Sequence, residues 1–389
     1  MKFSNKTKIK TYIQWAGKLA KGEGVINLTQ GKPDLEIPEG VIDEVKKKMG
    51  ELWVSQYSPP DGLPELKQLI LDDLKKWGVE ADDVIVTAGG AEAGFVTITG
   101  LVDPGDEVIL VSPHYGKHES AIILANGKPV QVPYNIVDNS FTFDINSFKR
   151  AITRRTKLAI INSPANPTGA VFTKEDLEGI REVCKENDIG IFYDEVYKTM
   201  IFDGLKHHTK PIYDPEITLV SGSISKTFSM SGWRIGYVAG SQKILENLKS
   251  IHSTLTICPT TISQVAAIAA MKMNLDSYFE NTRKVYQERR DVVMKKALEI
   301  PQITAYKPKG AMYVMMRVDK CNNDIALVED IVKKAKVGLV PGADFGAPGM
   351  VRLSLACVGP KQLDEAMTRL ADYFRTYYPK FLKSREKPY

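Results

Sequence analysis

Between residues 84 and 221 the chain alternates short apolar runs, five in all and unevenly spaced, with stretches of helical periodicity. The runs are Val84 to Thr87, Glu107 to Val111, Lys157 to Ile161, Gly190 to Asp194 and Thr218 to Ser221. Each is short enough to be a strand and too short to be a helix. Thr173-Lys-Glu-Asp-Leu177 opens one of the intervening helices with a capping-box pattern, and that helix is expected to run to about Asn187. Strands without a polar face need helices over both faces of their sheet. The expected fold class is therefore α/β, a mixed and mostly parallel sheet sandwiched by helices, in a large domain. A long polar helix, expected from about Ser277 to Leu298, leads into a second region. There Ala311 to Val318 and Gly349 to Leu355 read as strands and Gly359 to Tyr378 as a closing helix, which suits a smaller α+β domain. The chain shows no internal repeat, low-complexity segment or long linker.

In sheets of this kind, ligands gather at the carboxyl ends of strands. Just past the fifth run lies Ser223-Ile-Ser-Lys-Thr-Phe-Ser-Met-Ser-Gly-Trp-Arg234. It brings an amine at Lys226, hydroxyls at Ser223 and Ser225, and a guanidinium at Arg234 into one segment. Those groups suit a phosphorylated aldehyde. The lysine forms a Schiff base with the aldehyde, and the hydroxyls and the planar arginine fork hold the phosphate. Pyridoxal phosphate is such a molecule. It withdraws electrons only while its ring nitrogen stays protonated, which calls for a buried carboxylate. Asp194 ends the fourth run and fits that need. Capping the next helix is the ordinary alternative for an aspartate there. Glu195 is the rival carboxylate, ranked second because adjacent side chains at a strand end face opposite ways. Tyr197 lies three residues past Asp194, within reach of the ring hydroxyl.

Two further strand ends add to this. Asn162-Ser-Pro-Ala-Asn-Pro-Thr-Gly169 follows the third run, and the amide of Asn166 suits the cofactor's ring oxygen; in isolation, Asn-Pro-Thr-Gly is an ordinary turn sequence. Thr87-Ala-Gly-Gly-Ala91 follows the first run and opens a helix, so the backbone N–H groups around Gly89, Gly90 and Ala91 can face a phosphate. A Gly-Gly pair also serves simply to close a tight turn.

With these motifs in this order, the chain resembles the class I and II aminotransferases, the aspartate aminotransferase-like enzymes of the type I pyridoxal phosphate fold, from about Val25 to about Val358. The resemblance implies a cofactor domain from residue 41 to 275. It assigns residues 276–389, joined by the N-terminal arm of residues 1–40, to the small domain. It implies that Tyr115 stacks on the cofactor ring, that Arg352 grips the substrate α-carboxylate, and that Gly31 and Asn166 lie beside it. Tyr57 would reach the phosphate of a neighbouring subunit in a homodimer with shared sites. The bonds Ser112–Pro113 and Asn166–Pro167 would be cis. Lys226 would hold the cofactor and, once freed, act as the base, with Asp194 and Tyr197 as its catalytic partners. The expected reaction moves an amino group from an L-amino acid to a 2-oxo acid, 2-oxoglutarate being the favoured acceptor and aspartate or a broad or aromatic set the donors. A β-lyase or synthase on the same scaffold would use the same cofactor residues. In one aspartate-specific branch a lysine helps bind the distal carboxylate in the region where Ala91 stands, so strict aspartate use is not expected. His118, near Tyr115, is placed to hydrogen-bond or to open the pocket.

Charge and composition exclude other classes. The net charge of +5 is spread along the chain, with small lysine clusters such as Lys46 to Lys48, which suits a solvated face rather than a nucleic-acid site. The short stretch before Val25 leads to the expectation that no DNA-binding module is added there. The four cysteines, Cys184, Cys258, Cys321 and Cys357, lack metal or redox spacing, and the five histidines form no metal triad. Free thiols, no apolar run of spanning length and no signal-peptide core lead to the expectation of a cytoplasmic enzyme without a metal.

Overall fold

The apolar runs become the middle of a seven-stranded sheet. The computed structural model describes residues 2–9 and 11–385. The strands are β1 (Asp83–Thr87), β2 (Glu107–Ser112), β3 (Lys128–Pro133), β4 (Thr156–Asn162), β5 (Gly190–Asp194), β6 (Thr218–Ser223) and β7 (Gly236–Gly240), in the order β1-β7-β6-β5-β4-β2-β3. β7 is antiparallel to both of its neighbours, and all other neighbours are parallel. Side chains alternate between the two faces. Val84, Val86, Ile109, Ile161, Ile191 and Tyr193 enter one core, shared with helix Thr261–Met271. Ile85, Val108, Leu110, Ile160 and Phe192 enter the other, beneath helix α1 (Gly90–Leu101) and helix Gln242–Thr256.

Two strands of this sheet carry little sequence signal. β7 reads Gly-Tyr-Val-Ala-Gly, where small residues dilute the apolar run. β3 begins Lys-Pro and ends in Pro; its place at the sheet edge explains why proline is tolerated there. The capping box at Thr173 is formed: the hydroxyl accepts from the Asp176 N–H at 3.1 Å, and the Asp176 carboxylate accepts from the Thr173 N–H at 2.9 Å. Its helix spans Lys174–Glu186.

Helix Asp276–Ala297 leads to a second, wholly antiparallel sheet. Its strands are β8 (Ile303–Ala305), β9 (Tyr313–Val318), β10 (Val340–Pro341) and β11 (Met350–Ser354), in the order β8-β9-β11-β10. The closing helix is interrupted: Pro360–Thr376 is followed by a separate helix, Tyr378–Arg385. Pro379 has no N–H to continue the ladder, but it is tolerated in the first turn of a new helix. Near the N-terminus, Ile26–Asn27 pairs in parallel with Val337–Gly338, and Leu28 accepts from the Ser354 N–H at 2.9 Å. The core of this second region takes in Tyr197, Met200 and Phe202 from beyond β5, so the two cores meet beside that strand end. From this partition we propose one unit of residues 41–275 and another of 276–389 joined by 1–40. Among the described residues no helix is long and apolar enough to cross a membrane, and no cluster of three or more metal-ligating side chains occurs. Ser112–Pro113 and Asn166–Pro167 are cis, as is Ser163–Pro164, which the sequence reading did not anticipate.

Candidate active site

Asp194 and Glu195 leave the end of β5 in opposite directions. Asp194 is buried and lies 3.3 Å from Nε2 of His118, on helix α2 (Gly116–Leu124). His118 in turn meets Tyr115 and Phe192 edge-on, with ring centroids 5.2 and 5.9 Å apart. The imidazole thus links the carboxylate to the aromatic ring of Tyr115. Glu195 turns into a separate buried network. Lys198 lies 3.0 Å away, His207 2.8 Å, and the Thr209 hydroxyl donates at 2.6 Å. Burial alone would raise the Glu195 carboxyl, but Lys198 and His207 outweigh it and hold the pKa down at about 2. Glu195 is thereby committed elsewhere, which leaves Asp194 as the carboxylate facing the cleft.

Lys226 sits on the short helix Ile224–Thr227, directly after β6. Its Nζ donates to the Gly31 carbonyl. Burial, with the nearby positive charges of Arg234 and Arg352, lowers the amine's pKa from 10.5 to about 8. Gly31 has no room for a side chain: a Cβ there would run into the Tyr313 hydroxyl. That hydroxyl shares a 2.8 Å hydrogen bond with the Tyr197 hydroxyl. Burial, then Tyr313, pushes the Tyr197 phenol well above its usual range, so Tyr197 stays a neutral hydroxyl.

Arg352 comes from β11 and is buried. Nη1 donates to Oδ1 of Asn166 at 3.0 Å and Nη2 to the Thr29 carbonyl at 2.7 Å. Its guanidinium lies between two aromatic rings, 4.3 Å from the Tyr313 centroid and 4.7 Å from that of Phe345. Among the described residues no carboxylate pairs with it, and its Nε is a buried donor without a protein acceptor. A desolvated guanidinium with an unused donor, beside an amine of lowered pKa, has the chemistry to receive a small carboxylate. Asn166 is held from behind: its N–H donates to Oδ1 of Asn162 at 2.7 Å, and Asn162 Nδ2 donates to the Asp194 carbonyl at 2.9 Å.

Arg234 adopts a left-handed backbone at φ 55°, and its Nη2 donates to the Ala88 carbonyl at 2.8 Å. The turn it meets packs closely against it and is built of glycines for that reason. A Cβ on Gly89 would sit 2.5 Å from Arg234 Nη2, and one on Gly236 would sit 2.5 Å from the Gly90 nitrogen. Gly89 at φ 90° caps α1, so the first N–H groups of that helix begin beside the guanidinium. Ser225 gives its hydroxyl proton to the Ile235 carbonyl at 3.2 Å, which leaves its oxygen free to accept. Ser223 is buried at the cap of the Lys226 helix, and Ala91 is exposed on the first turn of α1. An anion cradle, a buried amine, a buried carboxylate and an aromatic ring are the donor set that pyridoxal phosphate needs, and these residues fit it.

Direct hydrogen bonds join Lys226 to Gly31 and Arg352 to Asn166, whereas Tyr57 stands apart and is 80% exposed. Tyr313, Thr29, Phe345 and Asn162 were not found in the sequence. Only Asn162 offered a signal, as the first residue of the Asn166 loop. The others owe their positions to contacts across the fold.

A phosphate cradle at the end of an α/β sheet, with a lysine and a carboxylate at neighbouring strand ends, defines a pyridoxal-phosphate-dependent enzyme. The sequence profile described as "Aminotransferase class I and II" matches residues 23–370. The chain is 37% identical over 349 residues to an aspartate aminotransferase of Geobacillus stearothermophilus, covering 87% of this chain and 88% of that one. It is 35% identical to an aspartate/prephenate aminotransferase of Thermus thermophilus over 356 residues, 90% of this chain and 91% of the other. The solved structure of a Thermus thermophilus aspartate aminotransferase with maleate superimposes with a TM-score of 0.89 at 32% identity, covering 96% of this chain and 99% of that chain. The chain belongs to the class I and II aminotransferases and is a pyridoxal-phosphate-dependent transaminase.

Proposed function

We propose that this aminotransferase takes the amino group from a broad set of L-amino acids, aspartate and aromatic donors among them, and passes it to 2-oxoglutarate. The observation that carries this reading is Arg352, a buried and uncompensated cation beside the Lys226 amine. Bound pyridoxal phosphate supplies a protonated ring that draws electrons from the donor's α-carbon. Arg352 holds the donor's carboxylate in a bidentate fork, and Asn166 keeps that fork in plane. Lys226 Nζ, its pKa near 8, takes the α-proton and later returns one. Asp194, steadied by His118, holds a proton at the ring nitrogen. Tyr197 and Tyr313 supply neutral hydroxyls beside Gly31. Relatives named for aspartate, aspartate/prephenate and aromatic amino acids support the donor range. So does Ala91, which gives a distal carboxylate no cation. A panel of amino donors, each mixed with enzyme in the absence of an oxo acid, tests it. Aspartate and aromatic donors are expected to bleach the cofactor's visible absorbance at comparable rates. Bleaching by one donor alone would refute the breadth, and ammonia released without an acceptor would indicate a lyase.

We further propose a cytoplasmic homodimer with shared sites. All four cysteines are free, which suits a reducing compartment. Tyr57 is 80% exposed, and Leu52 close by is 76% exposed, a pairing that suits a two-fold interface. Tyr57→Phe is expected to weaken cofactor retention modestly, by about 1.5–3 kcal/mol at most, the worth of one hydrogen bond to a charged group. Mixing Tyr57→Phe with Lys226→Ala subunits is the sharper test. One site of the mixed dimer would draw Tyr57 and Lys226 from different chains and be complete, so full retention is expected there. A fully active monomer would overturn the shared site.

A further inference from the structure

We propose that Arg289 is a positioning residue for the reaction: through Asp34 and Leu355, it fixes where the Gly31 carbonyl stands against the Lys226 amine. The segment from Leu28 to Asp34 lies along β11 and the residues after it. Leu28 accepts from Ser354, and Thr29 accepts from Arg352. Gly31 then bridges to Lys226. Among the described guanidinium groups, Arg289 is the one that holds the far end of the segment. Its Nη1 and Nη2 bind the two oxygens of Asp34 at 2.7 and 3.0 Å, and Nη1 also donates to the Leu355 carbonyl at 3.0 Å.

Such a fork transmits position well. Arg289 is only 6% exposed, and its guanidinium lies 5.3 Å from the Tyr286 ring centroid, so it has little freedom of its own. The Tyr286 hydroxyl also reaches Asp34 at 3.4 Å. Lys32 is tied to the same stretch, its carbonyl accepting from the Cys357 thiol at 3.1 Å. Gly31 is thus strung between two buried arginines. Arg352 holds the end that meets substrate. Arg289 touches neither substrate nor cofactor, so its influence on the reaction must pass through the segment. A lysine at position 289 could make one of these bonds at a time, but not the planar fork.

The inference rests on the proposed role of Lys226, and the experiment separates the two. The full-length protein, freed of cofactor, is treated with trinitrobenzenesulfonate across a pH series, and labelling at residue 226 is read by peptide mass spectrometry. The charged groups facing that amine are Arg234 and Arg352, and the titratable one is the Cys357 thiol, which burial keeps neutral. A wild-type midpoint near that of a free lysine would refute the role of Lys226 itself. With a lowered wild-type midpoint, Arg289→Lys should lower it further, because a displaced Gly31 carbonyl no longer favours the ammonium form. The kcat of the loaded enzyme should fall by between about 10- and 100-fold, the scale for a small misplacement of reacting groups. Arg290→Lys is the comparison: Arg290 forks onto Asp203 at 2.8 Å for both bonds, and its loss should leave the midpoint unchanged. If Arg289→Lys does not fold, Asp34→Asn carries the test, since it removes the charge while keeping the shape. An unchanged midpoint in the Arg289 or Asp34 variant, or an equal shift in Arg290→Lys, would overturn the proposal.

Discussion

Lys226→Ala should abolish multiple turnover and the yellow colour of the lysine-bound cofactor, while leaving the fold intact. The side chain projects from a short helix into the cleft, and its single recorded hydrogen bond is to the Gly31 carbonyl, so its loss opens little of the core. What disappears is the amine whose pKa burial and two arginines bring to about 8. An alanine there offers neither a Schiff-base partner nor a proton acceptor, so both proposed functions of the residue fail together. Absorbance of the purified variant and steady-state turnover with excess donor and acceptor are the measurements. Turnover at the wild-type rate would refute the assigned role.

The next largest effect is expected at Asp194. Replacing it with alanine removes the one carboxylate that faces the cleft from β5 and strands the His118 imidazole beside it. We expect the barrier to rise by roughly 3–4 kcal/mol, the scale for removing a key electrostatic contact. Glu195 cannot substitute, because its oxygens are already taken by Lys198, His207 and Thr209. Moving it would also leave the buried Lys198 with one carboxylate partner, Asp73, in place of two. α-Proton exchange from a deuterated donor reads the effect directly, and near-normal exchange in Asp194→Ala would show that another group does this work.

The sequence made the middle of the fold legible because strands buried on both faces leave dense apolar runs. It made β3 and β7 hard to see for opposite reasons: one is an edge strand bearing prolines, the other a central strand built from small residues. The same contrast divides the site. Lys226, Asp194, Asn166 and Gly90 lie at strand ends, where a short motif announces itself. Tyr313 is one of 16 tyrosines in the chain, at the start of an ordinary strand, and only distant partners, such as Tyr197 116 residues away, distinguish it. Arg289 reads as one more charge on a polar helix until Asp34 and Leu355 are found against it. Side chains whose role is set by distant partners leave no local trace in the sequence. Alternation along a strand tells from sequence that Asp194 and Glu195 face opposite sides; which of them faces the cleft becomes visible only from the network that engages Glu195.

The bond from Arg352 to Thr29 closes a loop of 323 residues, whereas Lys226, Asp194, Asn166 and Gly90 all lie within the sheet-forming stretch that precedes residue 276. On the ribosome, the groups that fit the cofactor are therefore all made before the arginine that fits the substrate. The last strand supplies that arginine and, by hydrogen bonding to Thr29, fastens the beginning of the chain over the cleft in the same act. The residues proposed to hold the cofactor are thus synthesised ahead of the arginine proposed to grip the substrate, and the two sets come together only when β11 is in place.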